Sequence, residues 1–157
     1  MTRLPLSIDL ITPEKTAELA EFLALHLRPG DCILLFGEIG SGKTFFARNL
    51  IQSLLDHPED VPSPTFTLVQ VYETSVGEIW HSDLYRLTSI DEVEELGLIE
   101  AFETSICLIE WPEKLDDLAP QDALSLHFTA DPEHDTRRAL TLNWNDPKWD
   151  TRLDPLK

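Results

Sequence analysis

The sequence feature that most constrains the fold is the segment 37–44, which reads Gly-Glu-Ile-Gly-Ser-Gly-Lys-Thr. It matches the pattern G-x-x-x-x-G-K-[ST] in full. A continuous apolar run at 32–36 precedes it, and a helical pattern over 43–55 follows it. Glycines let such a loop curl so that several N–H groups converge on phosphate oxygens, next to a helix N-terminus. Strand, loop and helix together predict a P-loop that binds a nucleoside triphosphate.

The predicted loop assigns a role to each polar side chain in it. Lys43 is expected to reach the β- and γ-phosphates, and the Thr44 hydroxyl to ligate Mg²⁺. The predicted nucleotide-binding residues are Glu38, Ile39, Gly40, Ser41, Gly42, Lys43 and Thr44, together with position 45.

The sequence after the loop narrows the class of P-loop protein. It contains no Asn/Thr-Lys-x-Asp motif for guanine and no LSGGQ-like signature of ABC ATPases. The single adjacent arginine pair, at 137–138, is a poor match to the arginine-rich lid of a small-molecule kinase. With the guanine motif absent and these other classes poorly matched, the sequence favours an adenine nucleotide as the ligand. A small-molecule kinase and a nucleotide-gated adaptor that never hydrolyses ATP stay as alternatives to an ATPase switch.

Helical and strand patterns alternate along the chain, which is typical of α/β folds. Thr12 and Pro13 predict the start of a helix. Strands are predicted near 66–72, 78–83, 105–110, 123–129 and 138–144. We expect a three-layer α/β P-loop domain over 1–145, with a mixed, mainly parallel sheet and antiparallel additions from a hairpin and the C-terminal strand pair. The polar residues 146–157 are expected to form a loosely held tail.

Charge and hydropathy restrict where the protein works. The chain has 12 Lys and Arg against 29 Asp and Glu, a formal net charge of −17. Phosphate contacts dominate nucleic-acid affinity and call for a basic surface, so a partner is expected to hold any nucleic acid. The longest apolar run is the one at 32–36, and no secretory segment follows Met1. We therefore expect a cytoplasmic protein with no membrane association, in which Cys32 and Cys107 are buried thiols.

Two carboxylates end predicted strands and could hold the metal or its waters. Glu110 follows the apolar run 106–109, and Asp83 ends the less apolar run 79–82. The apolar run before Glu110 is the better match to the strand that carries the metal-binding carboxylate of P-loop proteins, although glutamate replaces the usual aspartate. Thr65 lies where P-loop switches place a loop ordered by the γ-phosphate, and its hydroxyl could serve there; the alternative is a proline turn.

Several segments, in order and at similar spacing, resemble the TsaE family of bacterial P-loop ATPases, which act in tRNA threonylcarbamoyladenosine synthesis. Besides 37–44, the matching segments are Ser-Pro-Thr-Phe-Thr-Leu-Val at 63–69, His-Ser-Asp-Leu-Tyr-Arg-Leu at 81–87, Glu-Leu-Gly-Leu at 95–98 and Ile-Glu-Trp-Pro-Glu at 109–113. The P-loop alone is unspecific, but the 81–87 and 109–113 segments together make the resemblance strong.

The resemblance implies a function and roles for individual residues. Family members bind ATP and Mg²⁺, hydrolyse ATP slowly alone, and act with TsaD and TsaB. That complex transfers threonylcarbamoyl to an adenosine beside the anticodon, and the ATPase allows repeated turnover. The family member is associated with tRNA only indirectly, through the complex. By matching position, Lys43 binds phosphates, Thr44 and Glu110 hold Mg²⁺, and Asp83 is needed for hydrolysis. Trp111 lies on a segment that responds to the nucleotide.

The sequence departs from the family at two places. Ser82 stands where family members commonly carry a bulky residue, usually phenylalanine, so the packing behind Asp83 is expected to differ. The acidic segment after Trp144 has no counterpart that aligns. No motif marks the adenine pocket, for which Thr12 and Arg138 are candidates by position only.

Overall fold

A computed structural model describes residues 5–157, in which helices and strands alternate around one sheet. The strands are β1 (Leu6–Leu10), β2 (Cys32–Phe36), β3 (Val69–Thr74), β4 (Gly77–Asp83), β5 (Ile106–Glu110), β6 (Leu124–Ala130) and β7 (Arg138–Asn143). The α-helices are α1 (Pro13–Ala24), α2 (Lys43–Leu54), α3 (Asp91–Glu95), α4 (Leu98–Thr104) and α5 (Lys148–Arg152), and 3₁₀ helices cover Pro112–Leu118 and Asp154–Leu156.

The strand order in the sheet is β1-β7-β6-β2-β5-β4-β3. The central strands β6, β2, β5 and β4 are parallel neighbours. The hairpin strand β3 and the strands β7 and β1 add to the two sides in antiparallel fashion. The predicted mixed sheet, parallel around the P-loop, is confirmed.

Strand β2 separates two hydrophobic cores, because its successive side chains point to opposite faces. Ile33 and Leu35 belong to the core under α1 and α2, and Cys32 and Leu34 to the core under α3 and α4. All four are buried, which explains the uninterrupted apolar run. Helices therefore cover both faces, and the three-layer prediction is confirmed.

The predicted thiols lie inside the second core. Cys32 and Cys107 are free, fully buried and directly opposite each other on β2 and β5. Burial raises the pKa of the Cys107 thiol from its ordinary value to about 12, and raises that of Cys32 well above its ordinary range. Both side chains therefore behave as small apolar groups.

Local sequence signals account for the ends of the two long helices. The Thr12 hydroxyl accepts a hydrogen bond from the Lys15 N–H, which caps α1 as predicted. Gly42 precedes α2 with φ 110° and offers no capping side chain. At 12 residues each, α1 and α2 are the longest helices in the range 5–157, where no helix is long and apolar enough to cross a membrane.

The prediction of a loosely held tail at 146–157 is wrong. Trp149 and Leu153 are fully buried in the core under α1 and α2, because their spacing of four places them on one face of the C-terminal segment. The Trp149 indole N–H donates to the carbonyl of Asp122 at 2.8 Å. Lys148 and Arg152 both contact the buried Asp31, at 3.0 and 2.8 Å. The segment is thus an integral part of the domain.

Strand β1 is an element that the sequence reading did not predict. Leu6, Ile8 and Leu10 alternate with polar residues, as in a half-buried strand. The strand pairs antiparallel with β7, with Leu6 opposite Leu142. A segment of five residues next to a proline is too short for its alternating pattern to be recognised without the partner strand.

Candidate nucleotide-binding site

A cavity of about 520 Å³ opens where the carboxyl ends of β2, β4 and β5 meet. The predicted nucleotide and metal residues that line it are Ile39, Gly40, Gly42, Lys43, Thr44, Asp83 and Glu110, and Phe45 occupies position 45 on its wall. The other predicted loop residues, Glu38 and Ser41, do not line the cavity: Ser41 is buried, and the Glu38 carbonyl accepts a hydrogen bond from the Ser41 N–H at 3.1 Å.

The loop backbone needs its glycines. At Gly37, an added Cβ would lie 2.5 Å from the Ser41 hydroxyl and 2.8 Å from the Phe128 carbonyl oxygen, so no side chain fits. Gly42 has a left-handed conformation that leaves the first N–H groups of α2 without a capping side chain. Uncapped N–H groups at a helix start favour an anion, and the Ser41 hydroxyl nearby is buried without a partner in the described chain.

Lys43 places a positive charge inside the cavity. Its side chain is 4% exposed, and its ammonium group donates to the Gly37 carbonyl. The ammonium also lies 3.6 Å from the centre of the Trp111 ring, a cation–π contact. Burial lowers the pKa of Lys43 from its ordinary value, and the nearby Glu110 and Asp83 carboxylates oppose that shift. The loop therefore holds a partly desolvated cation, which favours contact with an anionic ligand.

Glu110 connects the P-loop to two strands of the sheet. Its Oε1 accepts a hydrogen bond from the Thr44 hydroxyl at 2.7 Å, and its Oε2 lies 2.7 Å from His81 Nε2. Glu110 is 2% exposed and His81 is fully buried. Both carboxylate oxygens are thus engaged by residues that approach from α2 and β4.

Asp83 lies beside Glu110, because the two residues are in register at the ends of β4 and β5. Its Oδ1 accepts from the Tyr85 N–H at 2.9 Å, and its Oδ2 from the Thr65 hydroxyl at 3.2 Å. The Thr65 hydroxyl also contacts that of Ser63 at 2.7 Å. The structure thereby brings the 63–67 segment and both strand-end carboxylates to one cavity.

A tight turn holds Thr65 in place and shortens the predicted strand at 66–72. The Leu68 N–H donates to the Pro64 carbonyl at 2.7 Å, and Leu68 has φ 67°, a conformation that side chains rarely adopt. The Leu68 carbonyl accepts from the Asp83 N–H at 3.0 Å and from the Ser82 hydroxyl at 2.8 Å. Ser82 therefore fixes the turn by a hydrogen bond, where a bulky residue would only pack.

Aromatic side chains form the rim of the cavity. Trp111, which has φ 57°, lies between Lys43 and the ring of Tyr85, whose centroid is 4.9 Å from its own. The Arg86 guanidinium lies 4.5 Å above the Phe66 ring. Phe66 is 78% exposed, so a large apolar ring projects into solvent beside the site.

The far wall of the cavity contains residues that no sequence motif marks. Arg138 donates to the Gly40 carbonyl at 3.2 Å and so joins β7 to the P-loop. Within the described chain, Thr12 is not among the lining residues, and its hydroxyl caps α1. The lining residues that sequence reasoning missed are Pro13, Thr16, Asp135 and Thr136. They carry no local motif and reach the site only because α1 and the β6–β7 connection fold beside the P-loop.

A parallel strand that leads through a glycine loop into a helix, with the loop lysine inside a cavity, defines a P-loop NTPase-like domain. The sequence model of one family, described as threonylcarbamoyl adenosine biosynthesis protein TsaE, matches residues 10–139. The chain belongs to the TsaE family. The matched range includes the P-loop, both strand-end carboxylates and Arg138.

Individual relatives agree with this assignment. The tRNA threonylcarbamoyladenosine biosynthesis protein TsaE of Rickettsia felis is 47% identical over 105 residues, which cover 67% of this chain and 61% of that protein. The protein of the same name from Bacillus subtilis is 37% identical over 117 residues, 74% of this chain and 72% of that protein. The crystal structure of Bacillus subtilis YdiB superposes with a TM-score of 0.79 at 26% identity, covering 99% of this chain and 95% of that one. The family resemblance predicted from the motifs is confirmed.

Proposed function

We propose that this protein is the ATP-binding and Mg²⁺-dependent ATP-hydrolysing subunit of a bacterial machinery that makes N6-threonylcarbamoyladenosine in tRNA. The observation that carries the proposal is the hydrogen bond between Thr44 and Glu110, 2.7 Å long, beside the buried Lys43. It joins a phosphate loop to a strand-end carboxylate, as nucleotide hydrolysis with a metal requires. The names of the relatives point to the tRNA modification.

The donor set at the cavity fits Mg²⁺. The Thr44 hydroxyl and the carboxylates of Glu110 and Asp83 are oxygen ligands, which Mg²⁺ prefers. Residues 5–157 contain no cluster of three His, Cys, Asp or Glu side chains that could hold a metal by itself. Such a cluster is not needed, since Mg²⁺ at nucleotide sites takes one or two protein carboxylates, substrate phosphates and water. When bound, the ion neutralises charge that develops on the phosphate oxygens.

The remaining roles follow from position in the cavity. Lys43 binds the phosphates, and Glu38 to Thr44 enclose them through the loop. Asp83 orients the attacking water, because a carboxylate at the phosphate site can act as a general base and accept the proton of that water. Thr65, which holds Asp83 at 3.2 Å, joins the phosphate contacts when nucleotide binds. The adenine lies toward Arg138 and the start of α1, where Pro13 lines the cavity and Thr12 does not.

The proposed partners are the proteins TsaD and TsaB. The chain is associated with tRNA only indirectly, through their complex, and it does not bind a membrane. The net charge of −17 supports this, because the chain lacks the basic excess of a nucleic-acid binder. Two exposed apolar side chains suit contact with a protein: Ile39, which lines the cavity and is 73% exposed, and Phe66, which follows the lining residue Thr65 and is 78% exposed. A partner that completes the rim of the cavity would account for slow ATP hydrolysis by the isolated subunit. The proposed location of the protein is the cytoplasm.

Phosphate release from ATP, measured with and without TsaD and TsaB, tests the proposal. We expect slow release by the chain alone and faster release with both partners, and Lys43→Ala should abolish both rates. ADP formation that depends on a small-molecule acceptor and needs no partner would instead identify a kinase. Nucleotide binding without release under either condition would identify a non-hydrolysing adaptor.

A further inference from the structure

His81 is a fully buried histidine with one contact to the proposed metal site. Its Nε2 lies 2.7 Å from Glu110 Oε2, while Thr44 occupies the other carboxylate oxygen. His81 does not line the cavity, so in the described chain it reaches the nucleotide site only through Glu110.

The direction of this hydrogen bond follows from the other ring nitrogen. The Nδ1 atom of His81 is buried and has no hydrogen-bond partner among residues 5–157. A proton on Nδ1 would leave a buried donor unpaired, which is unfavourable. The proton therefore belongs on Nε2, which donates to the Glu110 carboxylate.

The backbone around His81 is rigid enough to make that donor an effective constraint. His81 lies in the interior of β4, opposite Leu108 of β5 on one side and Gln70 of β3 on the other. Glu110 is the last residue of β5, and a glutamate has one more rotatable bond than the aspartate usual at this position. Without a second donor, the Thr44 hydroxyl alone would fix one oxygen and leave the other free to rotate.

We propose that His81 is a positioning residue, which holds Glu110 in the orientation that Mg²⁺ binding needs. The inference rests on the proposed function, since it assumes a metal at Thr44 and Glu110. Partners that orient a metal ligand in this way contribute substantially to metal affinity. His81 should therefore affect the Mg²⁺ dependence of nucleotide binding, and leave nucleotide binding without metal unchanged.

A pair of amide substitutions separates orientation from mere packing. In His81→Gln, the side-chain amide nitrogen takes the place of Nε2, and in His81→Asn it takes the place of Nδ1 and falls short of Glu110. Both variants bury a neutral amide. The measurement is titration calorimetry with the non-hydrolysable analogue AMP-PNP over a Mg²⁺ series and in EDTA, with a thermal melt of each protein.

We expect His81→Asn to raise the Mg²⁺ concentration for half-saturation about tenfold, which is the lower end of the effect seen when residues that orient a metal ligand are replaced. His81→Gln should stay close to wild type. In EDTA the affinities of all three proteins should agree. Equal Mg²⁺ dependence in folded Gln and Asn variants would overturn the positioning role alone. A wild-type protein whose AMP-PNP affinity ignores Mg²⁺ would overturn the proposed metal site, and the inference with it. If His81→Asn fails to fold, His81→Phe, which keeps a ring without a donor, replaces it in the comparison.

Discussion

The Thr44 hydroxyl and Glu110 Oε1 are 2.7 Å apart, although the two residues are 66 positions apart in the sequence. The strand order creates this contact, since β5 lies next to β2 in parallel and ends level with the P-loop. Asp83 joins the same edge because β4 is the next parallel strand. The sheet thus brings the Thr44 hydroxyl and the two carboxylates to one edge before any nucleotide binds, so the proposed role of each can be tested separately.

Replacing Lys43 by alanine should strongly weaken nucleotide binding and leave the protein folded. Removing a buried charge that binds an anion typically costs about 2–5 kcal/mol, which is roughly 30-fold or more in affinity. Burial lowers the pKa of Lys43, while its ammonium group contacts the Gly37 carbonyl and the Trp111 ring, so the melting temperature of the variant is compared with that of the wild type to confirm that it is folded. Calorimetric titration with Mg-ATP and a thermal melt give both quantities. Full affinity in the variant would remove Lys43 from the phosphate site.

Asp83→Asn should keep nucleotide binding and lose hydrolysis. The amide keeps the size of the side chain and can still accept from the Tyr85 N–H, but it cannot take a proton from water. General-base groups contribute about 10²–10⁴-fold, so partner-stimulated phosphate release should fall by at least about 100-fold. Asp91→Asn, which makes the same replacement of a carboxylate by an amide at an exposed position on α3, is the matched control and should retain the wild-type rate. A fully active Asp83→Asn protein would exclude a base role for this carboxylate.

The parts of the site that the sequence predicted are those with short-range signals. Residues 37–44 are contiguous, and Glu110 and Asp83 each end an apolar run, so both could be identified before their distance was known. The parallel sheet then brings them together by a general rule of α/β folds. His81 illustrates the limit, because a histidine one strand away shows no sign in the sequence that it contacts Glu110.

The features that the sequence did not predict depend on long-range packing. Asp135 and Thr136 reach the cavity only through the β6–β7 pairing, and no pattern in their neighbourhood indicates a site. The C-terminal helix was hidden by its polar composition, since only Trp149 and Leu153 mark its buried face. Its ionic contacts with Asp31 join segments at opposite ends of the chain, which local patterns cannot reveal.

Trp149→Ala should destabilise the protein and spare the nucleotide site. Truncating a buried tryptophan typically costs about 3–5 kcal/mol, which for a domain of this size lowers the melting temperature by roughly 10 °C. The Trp149 ring lies against Arg152, which contacts Asp31 just before β2, whereas the P-loop follows the other end of that strand. Below its melting temperature the variant should therefore bind Mg-ATP as the wild type does. Trp149→Phe is the control and should lose much less stability; equal melting temperatures for all three proteins would refute an anchoring role for the C-terminal helix.

Alkaline pH should weaken the fold through the buried thiols. The pKa of Cys107 is about 12 in the folded protein, against an ordinary value of 9.0 that applies in the unfolded chain, so above pH 9 the unfolded state binds fewer protons. The contribution of this thiol to stability is complete below pH 9 and is lost as the pH rises toward 12, by about 1.4 kcal/mol per pH unit. Urea unfolding at pH 8, 9 and 10 measures the loss. Cys107→Val keeps a small apolar side chain and cannot ionise, so its stability should fall less steeply than that of the wild type between pH 9 and 10. Parallel pH profiles for the two proteins would mean that the Cys107 thiol does not resist ionisation in the folded state.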